Sequence, residues 1–163
     1  MWVGAEDQVK RFPFSIHIPG LKQLEVVLIR HGITRMNQER RYLGWTDIPL
    51  TERGREILSQ RKNDYPNADL VFMSPMLRCR QTAEVLYPEQ EGIVIDTWKE
   101  MNFGQFEGKT YPELKKNPDY RAWMDSGGTI RIPDGEDQES FIKRCMSGLK
   151  SCCERCRDVF LAE

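Results

Sequence analysis

The 163 residues are 39% hydrophobic and 30% charged, which is typical of a folded globular domain and argues against a disordered chain. The formal net charge of -1 gives no overall basic field of the kind expected of a nucleic-acid-binding protein. No apolar run reaches the roughly 20 residues of a membrane span, and the N-terminus lacks the apolar core of a signal peptide. Five cysteines, an odd number, do not suit a secreted disulfide framework, so we expect a cytoplasmic protein.

Residues 1–23 have little pattern, and we interpret them as an N-terminal extension that precedes one domain over residues 24–163. Within the extension, residues 14–18 predict a short extra strand before the breaker Pro19–Gly20. His17, one of two histidines in the chain, has no neighbours that resemble a site, and we expect it to have no catalytic role.

Residues 25–30 predict a strand buried on both faces, because they contain four consecutive apolar residues that are mostly β-branched. The run ends on Arg30, His31 and Gly32, and Thr34 and Asn37 follow where a helix or turn would begin. Open α/β sheets bind ligands at the carboxyl ends of their strands. The pattern therefore predicts an anion site at the end of this strand.

The next stretch alternates between helix and strand signals. Thr51 is a candidate N-cap for a helix that starts at residue 52, and residues 67–73 predict a turn and a second buried strand. Ser74 and Pro75 are expected to open another helix, and residues 93–95 predict a third strand. This alternation is typical of an α/β fold with parallel pairing.

The C-terminal third begins with a change in composition. Residues 98–133 predict a long loop with short helices over the carboxyl edge of the sheet, where such segments shape binding sites. A helix is expected over about 138–156, and residues 158–162 are expected to start a fourth strand. The helix has an apolar stripe at steps of three and four residues: Phe141, Ile142, Cys145, Leu149, Cys152 and Cys156.

Three of the cysteines also raise the question of a metal. Cys152 and Cys153 precede Cys156 by four and three residues, which is half of a possible zinc site. A second pair of ligands with matching spacing is absent from the sequence. We therefore interpret these thiols as small buried hydrophobic groups and expect no metal site.

Five stretches, taken together and in this order, resemble the histidine phosphatase superfamily, the phosphoglycerate mutase-like proteins. They are Arg30-His31-Gly32-x-Thr34-x-x-Asn37 and residues 44–51, 74–83, 100–108 and 133–136. The resemblance runs from residue 24 to about residue 163 and is strongest to small bacterial phosphatases of the α-ribazole phosphatase and broad-specificity type. It implies a three-layer α/β/α sandwich with a mostly parallel central sheet.

His31 is the predicted nucleophile. A neutral imidazole nitrogen can attack phosphorus and carry the phosphoryl group. A backbone carbonyl, expected in the Gly32 turn or just after it, would bind the other ring nitrogen and fix the tautomer. Arg30 and Arg78 are the predicted phosphate clamp, because guanidinium groups match the oxygens of a transferring phosphoryl group. Arg80, two positions on, is expected to be a solvated charge.

Three further residues are candidates for substrate binding, each with an alternative. Thr34 and Asn37 would donate hydrogen bonds to the phosphate, or they would cap the following helix. Gly44 would let the backbone approach the substrate, or it is a plain turn glycine.

Glu100 is the predicted general acid, which protonates the ester oxygen as the bond to phosphorus breaks. Its apolar neighbours Trp98, Met101 and Phe103 would favour the neutral carboxylic acid by desolvation. Glu107 competes for the role, but the resemblance assigns it to Glu100 and leaves Glu107 a structural part.

The resembled family carries a second His–Gly pair near its C-terminus, whereas this sequence has no histidine after His31. We therefore expect the chain to lack the usual C-terminal end of the fold, to be catalytically weakened, and to leave one side of its sheet less covered. A sheet that is less covered on one side favours marginal stability or a homodimer.

The expected function is that of a metal-independent phosphomonoesterase that acts on a small phosphate ester through a phosphohistidine intermediate. It needs no cofactor, takes phosphate or sulfate in its pocket, and has neither nucleic acid nor membrane as a partner. The first alternative is a catalytically weak or inactive phosphate-binding or interaction protein on the same scaffold. The second is a phosphoglycerate mutase, which we disfavour because residues 98–133 are short for the lid of such an enzyme.

Overall fold

Short strands and longer helices alternate along the chain, of which the computed structural model describes residues 9–10, 15–16 and 24–161. The strands are β1 Val9–Lys10, β2 Ser15–Ile16, β3 Leu24–Glu25, β4 Leu28–Ile29, β5 Phe72–Met73 and β6 Ile93–Val94. The α-helices are α1 Arg35–Gln38, α2 Glu52–Gln60, α3 Leu77–Leu86, α4 Tyr111–Leu114, α5 Pro118–Asp125 and α6 Gln138–Phe160. Three 3-10 helices lie between them: η1 Lys62–Asp64, η2 Asp96–Trp98 and η3 Gly104–Phe106.

The strands pair two by two. β5 and β6 are parallel, with Phe72 opposite Ile93, and α3 forms the crossover between them, which confirms the predicted parallel α/β unit. β1 pairs with β4 and β2 with β3, both antiparallel, so the extension contributes strands beside the segment that leads to His31. The strand predicted at 14–18 is present as β2, and the rest of that range, with His17, lies outside the described residues.

The single strand expected over residues 25–30 is divided into β3 and β4, and the expected burial on both faces is wrong. Leu28 is 47% exposed. The expectation assumed a central parallel strand with helices on both faces. Within the described chain, β4 instead pairs only with β1, and that pairing is antiparallel.

The starts of α2 and α3 differ in how well the sequence predicted them. Thr51 caps α2, and its Oγ1 accepts a hydrogen bond from the Gly54 N–H at 2.9 Å, as predicted. The expected start of α3 at Ser74 and Pro75 is wrong, because the helix begins at Leu77 after an extended Met76. Ser74 Oγ accepts from the Met76 N–H at 3.4 Å, which makes a turn before the helix instead of an N-cap.

Helix α6 is longer than predicted and replaces the fourth strand expected at residues 158–162. Residues up to Phe160 are helical, and the Leu161 N–H still donates to the Arg157 carbonyl at 2.9 Å. A short apolar run such as 159–161 does not distinguish strand from helix by its periodicity. Ile142, placed in the apolar stripe, is 50% exposed, whereas Cys152 is buried as predicted.

Two hydrophobic clusters hold the described domain together. One joins α2 and α3 through Leu50, Leu58, Tyr65 and Leu86. The other lies within the 98–133 segment and consists of Phe106, Leu114, Tyr120 and Ile132, which confirms short helices there and shows that they share a small core. No helix among the described residues is both long and apolar enough to cross a membrane.

Candidate active site

His31 follows β4 and is held by its own backbone neighbour. Its Nδ1 lies 2.7 Å from the Gly32 carbonyl oxygen, and since a carbonyl only accepts, Nδ1 carries the proton and donates it there. This confirms the expected carbonyl in the Gly32 turn. The pKa of His31 is lowered to about 4, first by burial and then by the charges of Arg78 and Arg30, against the opposing effect of the Gly32 bond. The imidazole is therefore neutral at pH 7 and keeps its lone pair on Nε2.

The Gly32 turn is itself hydrogen-bonded to helix α3. The Gly32 N–H donates to Thr82 Oγ1 at 3.0 Å, and the buried Thr82 hydroxyl donates to the Arg78 carbonyl at 2.7 Å. One hydroxyl thus links the backbone beside His31 to the backbone of Arg78. No role was predicted for Thr82, although it lies four residues after Arg78 within the 74–83 stretch.

Arg78 and Arg30, the predicted clamp, have different surroundings. Arg78 is only 1% exposed, and its guanidinium donates to the carbonyls of Gly44 at 2.8 Å and Thr46 at 3.1 Å. Its Nε is buried with no hydrogen-bond partner among the described residues. Arg30 is exposed at the end of β4, and Arg80 is exposed as predicted.

The backbone of Gly44 is occupied by protein groups. Its N–H donates to Glu107 Oε1 at 2.7 Å, and the Thr46 N–H reaches the same oxygen at 3.0 Å. A Cβ at Gly44 would lie 2.1 Å from the Met101 carbonyl oxygen, so only glycine fits this approach. These contacts support the packing role for Gly44 over the expected contact with substrate, and they confirm a structural role for Glu107.

Thr34 and Asn37 form a capping box at the start of α1. Thr34 is fully buried, its hydroxyl donates to Asn37 Oδ1 at 2.8 Å, and it accepts from the Asn37 N–H at 3.3 Å. The capping alternative is therefore present, and the Thr34 hydroxyl already donates its proton to Asn37. The expected contact between Thr34 and substrate stays a prediction. The amide nitrogen of Asn37 makes no hydrogen bond within the described part of the chain, so its predicted donor role stays a prediction.

Glu100 lies on the surface, and the expected desolvation by Trp98, Met101 and Phe103 is wrong. The residue is exposed, and its Oε1 accepts a hydrogen bond from the Met101 N–H at 2.8 Å. The apolar neighbours turn instead toward the protein: the Trp98 indole, for example, donates to the Cys145 carbonyl at 3.1 Å. The carboxylate is left accessible from solvent, and its role as acid stays a prediction.

An ion pair that the sequence did not reveal lies behind Glu100. Arg144 of α6 binds Glu136 through two hydrogen bonds, Nε to Oε1 at 2.7 Å and Nη2 to Oε2 at 2.8 Å, and holds the pKa of Glu136 below its usual range. Glu136 belongs to the 133–136 stretch, for which the sequence indicated no role. No sequence pattern indicated a role for Arg144, because its partners lie 8 to 47 residues away along the chain.

The thiols show no arrangement that points to a metal. All five cysteines are free, and burial raises the pKa of the Cys152 thiol to about 12. Among the described residues, no three His, Cys, Asp or Glu side chains are grouped so that they could hold a metal ion.

Known proteins are similar to this chain in sequence and in fold. The chain is 31% identical over 135 residues to "Probable phosphoglycerate mutase GpmB" of Escherichia coli O1:K1 / APEC, covering 79% of this chain and 63% of that protein. It therefore spans less than two thirds of the length of this relative.

Many solved structures resemble this chain, two of which illustrate the likeness. The α-ribazole phosphatase of Shigella flexneri has a TM-score of 0.70 at 29% identity, over 79% of this chain and 67% of that one. The phosphoglycerate mutase of Thermus thermophilus has a TM-score of 0.62 at 33% identity, over 74% of this chain and 68% of that one. These likenesses confirm a phosphoglycerate mutase-like α/β fold. The family model of the histidine phosphatase superfamily (branch 1) matches residues 26–161, and the chain belongs to that superfamily.

Proposed function

We propose that this protein is a phosphomonoesterase that acts through a phosphohistidine on His31. The hydrogen bond from His31 Nδ1 to the Gly32 carbonyl at 2.7 Å carries the proposal, because it leaves the Nε2 lone pair free on a neutral ring. Nε2 attacks phosphorus, and the bond from phosphorus to the ester oxygen breaks. Glu100 gives its proton to that oxygen. Water then attacks the phosphohistidine and gives a proton back to Glu100, which releases phosphate and restores both His31 and Glu100.

Charge near the reacting phosphorus supports this chemistry. Arg78 and Arg30 both act electrostatically on His31, so positive charge lies close to the point where a phosphoryl group would be transferred. The buried Nε–H of Arg78 has no partner among the described residues, so one donor of this guanidinium is not committed to a protein acceptor there. A preorganised charge of this kind stabilises the spread negative charge of the transition state.

The substrate is proposed to be a small phosphate ester, with water as the final acceptor. The relatives are named for an α-ribazole phosphatase and for phosphoglycerate mutases, all of which handle a phosphoryl group on a small molecule. Reaction without a metal is part of the proposal, since the histidine itself supplies the nucleophile.

A phosphate-binding protein without turnover is the second candidate. It is favoured by the exposure of Glu100 and by the two backbone carbonyls that already bind the Arg78 guanidinium. Such a protein would bind phosphate near His31 but would hydrolyse esters no faster than its variants.

Hydrolysis of p-nitrophenyl phosphate, with and without EDTA, separates the two candidates. We expect turnover that EDTA does not reduce, together with an acid-labile, alkali-stable phosphoryl label on rapid quenching. Titration calorimetry with inorganic phosphate runs in parallel on the wild type. Phosphate binding without turnover or label would favour the binding protein, and phosphoryl transfer between phosphoglycerates in preference to water would favour the mutase.

A further inference from the structure

We infer that Glu136 and Arg144 are positioning residues that hold the backbone on both sides of Glu100 and so place its carboxyl group at the site. The inference rests on the proposed function, in which Glu100 is the general acid. It concerns a partly buried ion pair far from His31 in sequence, to which neither the sequence pattern nor the resemblance assigned a role.

The Arg144 guanidinium is fully used in this arrangement. Besides its two bonds to Glu136, Nη1 donates to the carbonyls of Thr97 at 2.7 Å and Lys99 at 2.6 Å, and Nη2 donates to the Glu100 carbonyl at 2.8 Å. An arginine has five N–H donors, and these are five bonds. Three of them end on carbonyls at or just before Glu100.

Glu136 holds the other side of Glu100. Its Oε2 accepts from the Asn102 N–H at 2.8 Å, and its own N–H donates to the Asn102 carbonyl at 3.0 Å. The side chains of Arg144 and Glu136 are only 19% and 14% exposed, so solvent screens the pair little. The ion pair therefore binds the backbone both before and after Glu100, and the Glu100 carbonyl also accepts from the Trp45 indole N–H at 2.9 Å.

Helix α6 supports the same segment at two further points. The Trp98 indole donates to the Cys145 carbonyl at 3.1 Å, and a Cβ on Gly148 would lie 2.5 Å from Trp98 Nε1. Arg144, Cys145 and Gly148 share one face of the helix, because residues four apart lie one above the other. This face acts as a support for residues 97–100.

The Glu100 side chain makes little contact of its own, which is why its backbone matters. Its one hydrogen bond among the described residues goes to the neighbouring Met101 N–H, and the residue is exposed. With no other hydrogen bond to a described residue, the position of the carboxyl group depends on the backbone of residues 97–102. A general acid displaced by about 1 Å can lose on the order of 10²-fold in rate.

The test uses Arg144→Lys, which keeps the charge but has three rotatable donors instead of a planar fork. Values of kcat/KM are measured for p-nitrophenyl phosphate, phenyl phosphate and glycerol 2-phosphate, whose leaving groups increasingly need a proton. We expect a loss of about tenfold or more for glycerol 2-phosphate and less than threefold for p-nitrophenyl phosphate, since a nitrophenolate leaves unaided. Equal losses for all three esters would reduce Arg144 to a structural residue and overturn the inference.

Two further variants make the result specific. Arg131→Lys is the matched control, because Arg131 is an exposed arginine that donates to the Gly135 carbonyl at 2.9 Å and, within the described chain, makes no hydrogen bond or ion pair to residues 97–102. It should leave all three values unchanged. Glu100→Gln should show the same leaving-group selectivity as Arg144→Lys, and the double variant should show no additional selectivity. If Glu100→Gln slows all esters equally, the proposed acid is wrong, which is a separate failure.

A second measurement does not depend on turnover. Amide hydrogen exchange of residues 97–102 should rise at least about tenfold in Arg144→Lys relative to the wild type, and should stay unchanged in Arg131→Lys. Unchanged exchange in Arg144→Lys would overturn the inference even if the protein hydrolyses no ester. Unchanged exchange in α2, remote from this ion pair, excludes general loss of structure as the cause of a rise.

Discussion

The nucleophile and the proposed acid are held in place in opposite ways. His31 is bound by the next residue in the chain, with its Nδ1 on the Gly32 carbonyl, and burial sets its protonation state. Glu100 is exposed, and its backbone carbonyl accepts from two distant side chains, Arg144, which lies 44 residues further on, and Trp45, which lies 55 residues earlier. A nucleophile needs a defined tautomer and a dry lone pair, which a local turn can supply. An acid must bring its carboxyl group to the leaving oxygen, and at Glu100 the backbone that carries this group is held by distant contacts.

The largest effect should come from the nucleophile itself. His31→Gln keeps a polar side chain of similar size but has no nucleophilic nitrogen. We expect more than ~10⁴-fold loss of kcat and complete loss of the acid-labile label, because removing a covalent nucleophile costs on the order of 10⁶ elsewhere. Rapid-quench labelling with a radioactive phosphate ester checks this. A label that survives the change would place the nucleophile at another residue.

Arg78 tests whether the charge beside His31 acts in the transition state. Arg78→Ala should lower kcat/KM by ~10²-fold, because a preorganised charge on the phosphoryl group is removed. It also leaves the Gly44 and Thr46 carbonyls without their donor, so the melting temperature must be measured alongside. Arg80→Ala, at an exposed position of the same helix, is the control and should change activity less than twofold. A loss below tenfold in Arg78→Ala would remove this arginine from the phosphate site.

The protonation state of His31 has a measurable consequence for stability. Its pKa is lowered from 6.5 to about 4, so the unfolded chain takes up the proton first as the pH falls. Its contribution is complete above about pH 6.5 and is lost progressively toward pH 4. At pH 5 the wild type should have lost about 2 kcal/mol of unfolding free energy from this group, relative to pH 7.5.

Urea unfolding at the two pH values, compared with His31→Gln, measures this loss, and NMR titration of the ring gives the pKa directly. The variant should lose less stability than the wild type between pH 7.5 and pH 5. An NMR midpoint between 6 and 7 would show that the ring is as solvated as a surface histidine, and the contrast with Glu100 would disappear.

Thr82 tests how the nucleophile is held in place. Thr82→Val keeps the shape of the side chain but removes the hydroxyl that accepts from the Gly32 N–H and donates to the Arg78 carbonyl. We expect about a tenfold loss of kcat with KM nearly unchanged, since the turn that orients His31 is loosened. Thr82→Ser, which retains the hydroxyl, should restore most of the rate. Equal losses in both variants would attribute the effect to packing.

The smallest change in activity should come from Gly148, which packs against the segment that leads to the proposed acid. Gly148→Ala places a Cβ 2.5 Å from Trp98 Nε1 and 2.6 Å from Thr97 Oγ1, which pushes residues 97–98 away from α6. Overpacking of about 1–3 kcal/mol is partly offset by the better helix propensity of alanine. We expect a few-fold loss of kcat/KM with glycerol 2-phosphate and none with p-nitrophenyl phosphate. Ser147→Ala, at the neighbouring exposed position, is the control, and a uniform loss would contradict the supporting role of α6.

The sequence was most informative where function depends on residues that are close together along the chain. Arg30–His31–Gly32 predicted the position of His31 after a strand and the carbonyl that binds its ring. Thr51 predicted the cap of α2, and the spacing in 74–83 singled out Arg78. The sequence was least informative about the burial of strand β4 and about where helix α6 ends. β4 was expected to be buried on both faces, and residues 158–160 were expected to leave the helix, because short apolar runs do not reveal their neighbours.

By itself, then, the sequence determined the family, the α/β order of elements and the identity of the proposed nucleophile, because these depend on local spacing and on side-chain chemistry. Only the tertiary structure decided which groups hold the others. Thr82 joins Gly32 to Arg78 across 50 residues, Glu107 binds the 44–46 loop, and Arg144 reaches the carbonyls of residues 97–100. Backbone N–H and carbonyl groups are the same in every residue, so no sequence pattern marks which of them a distant side chain will bind.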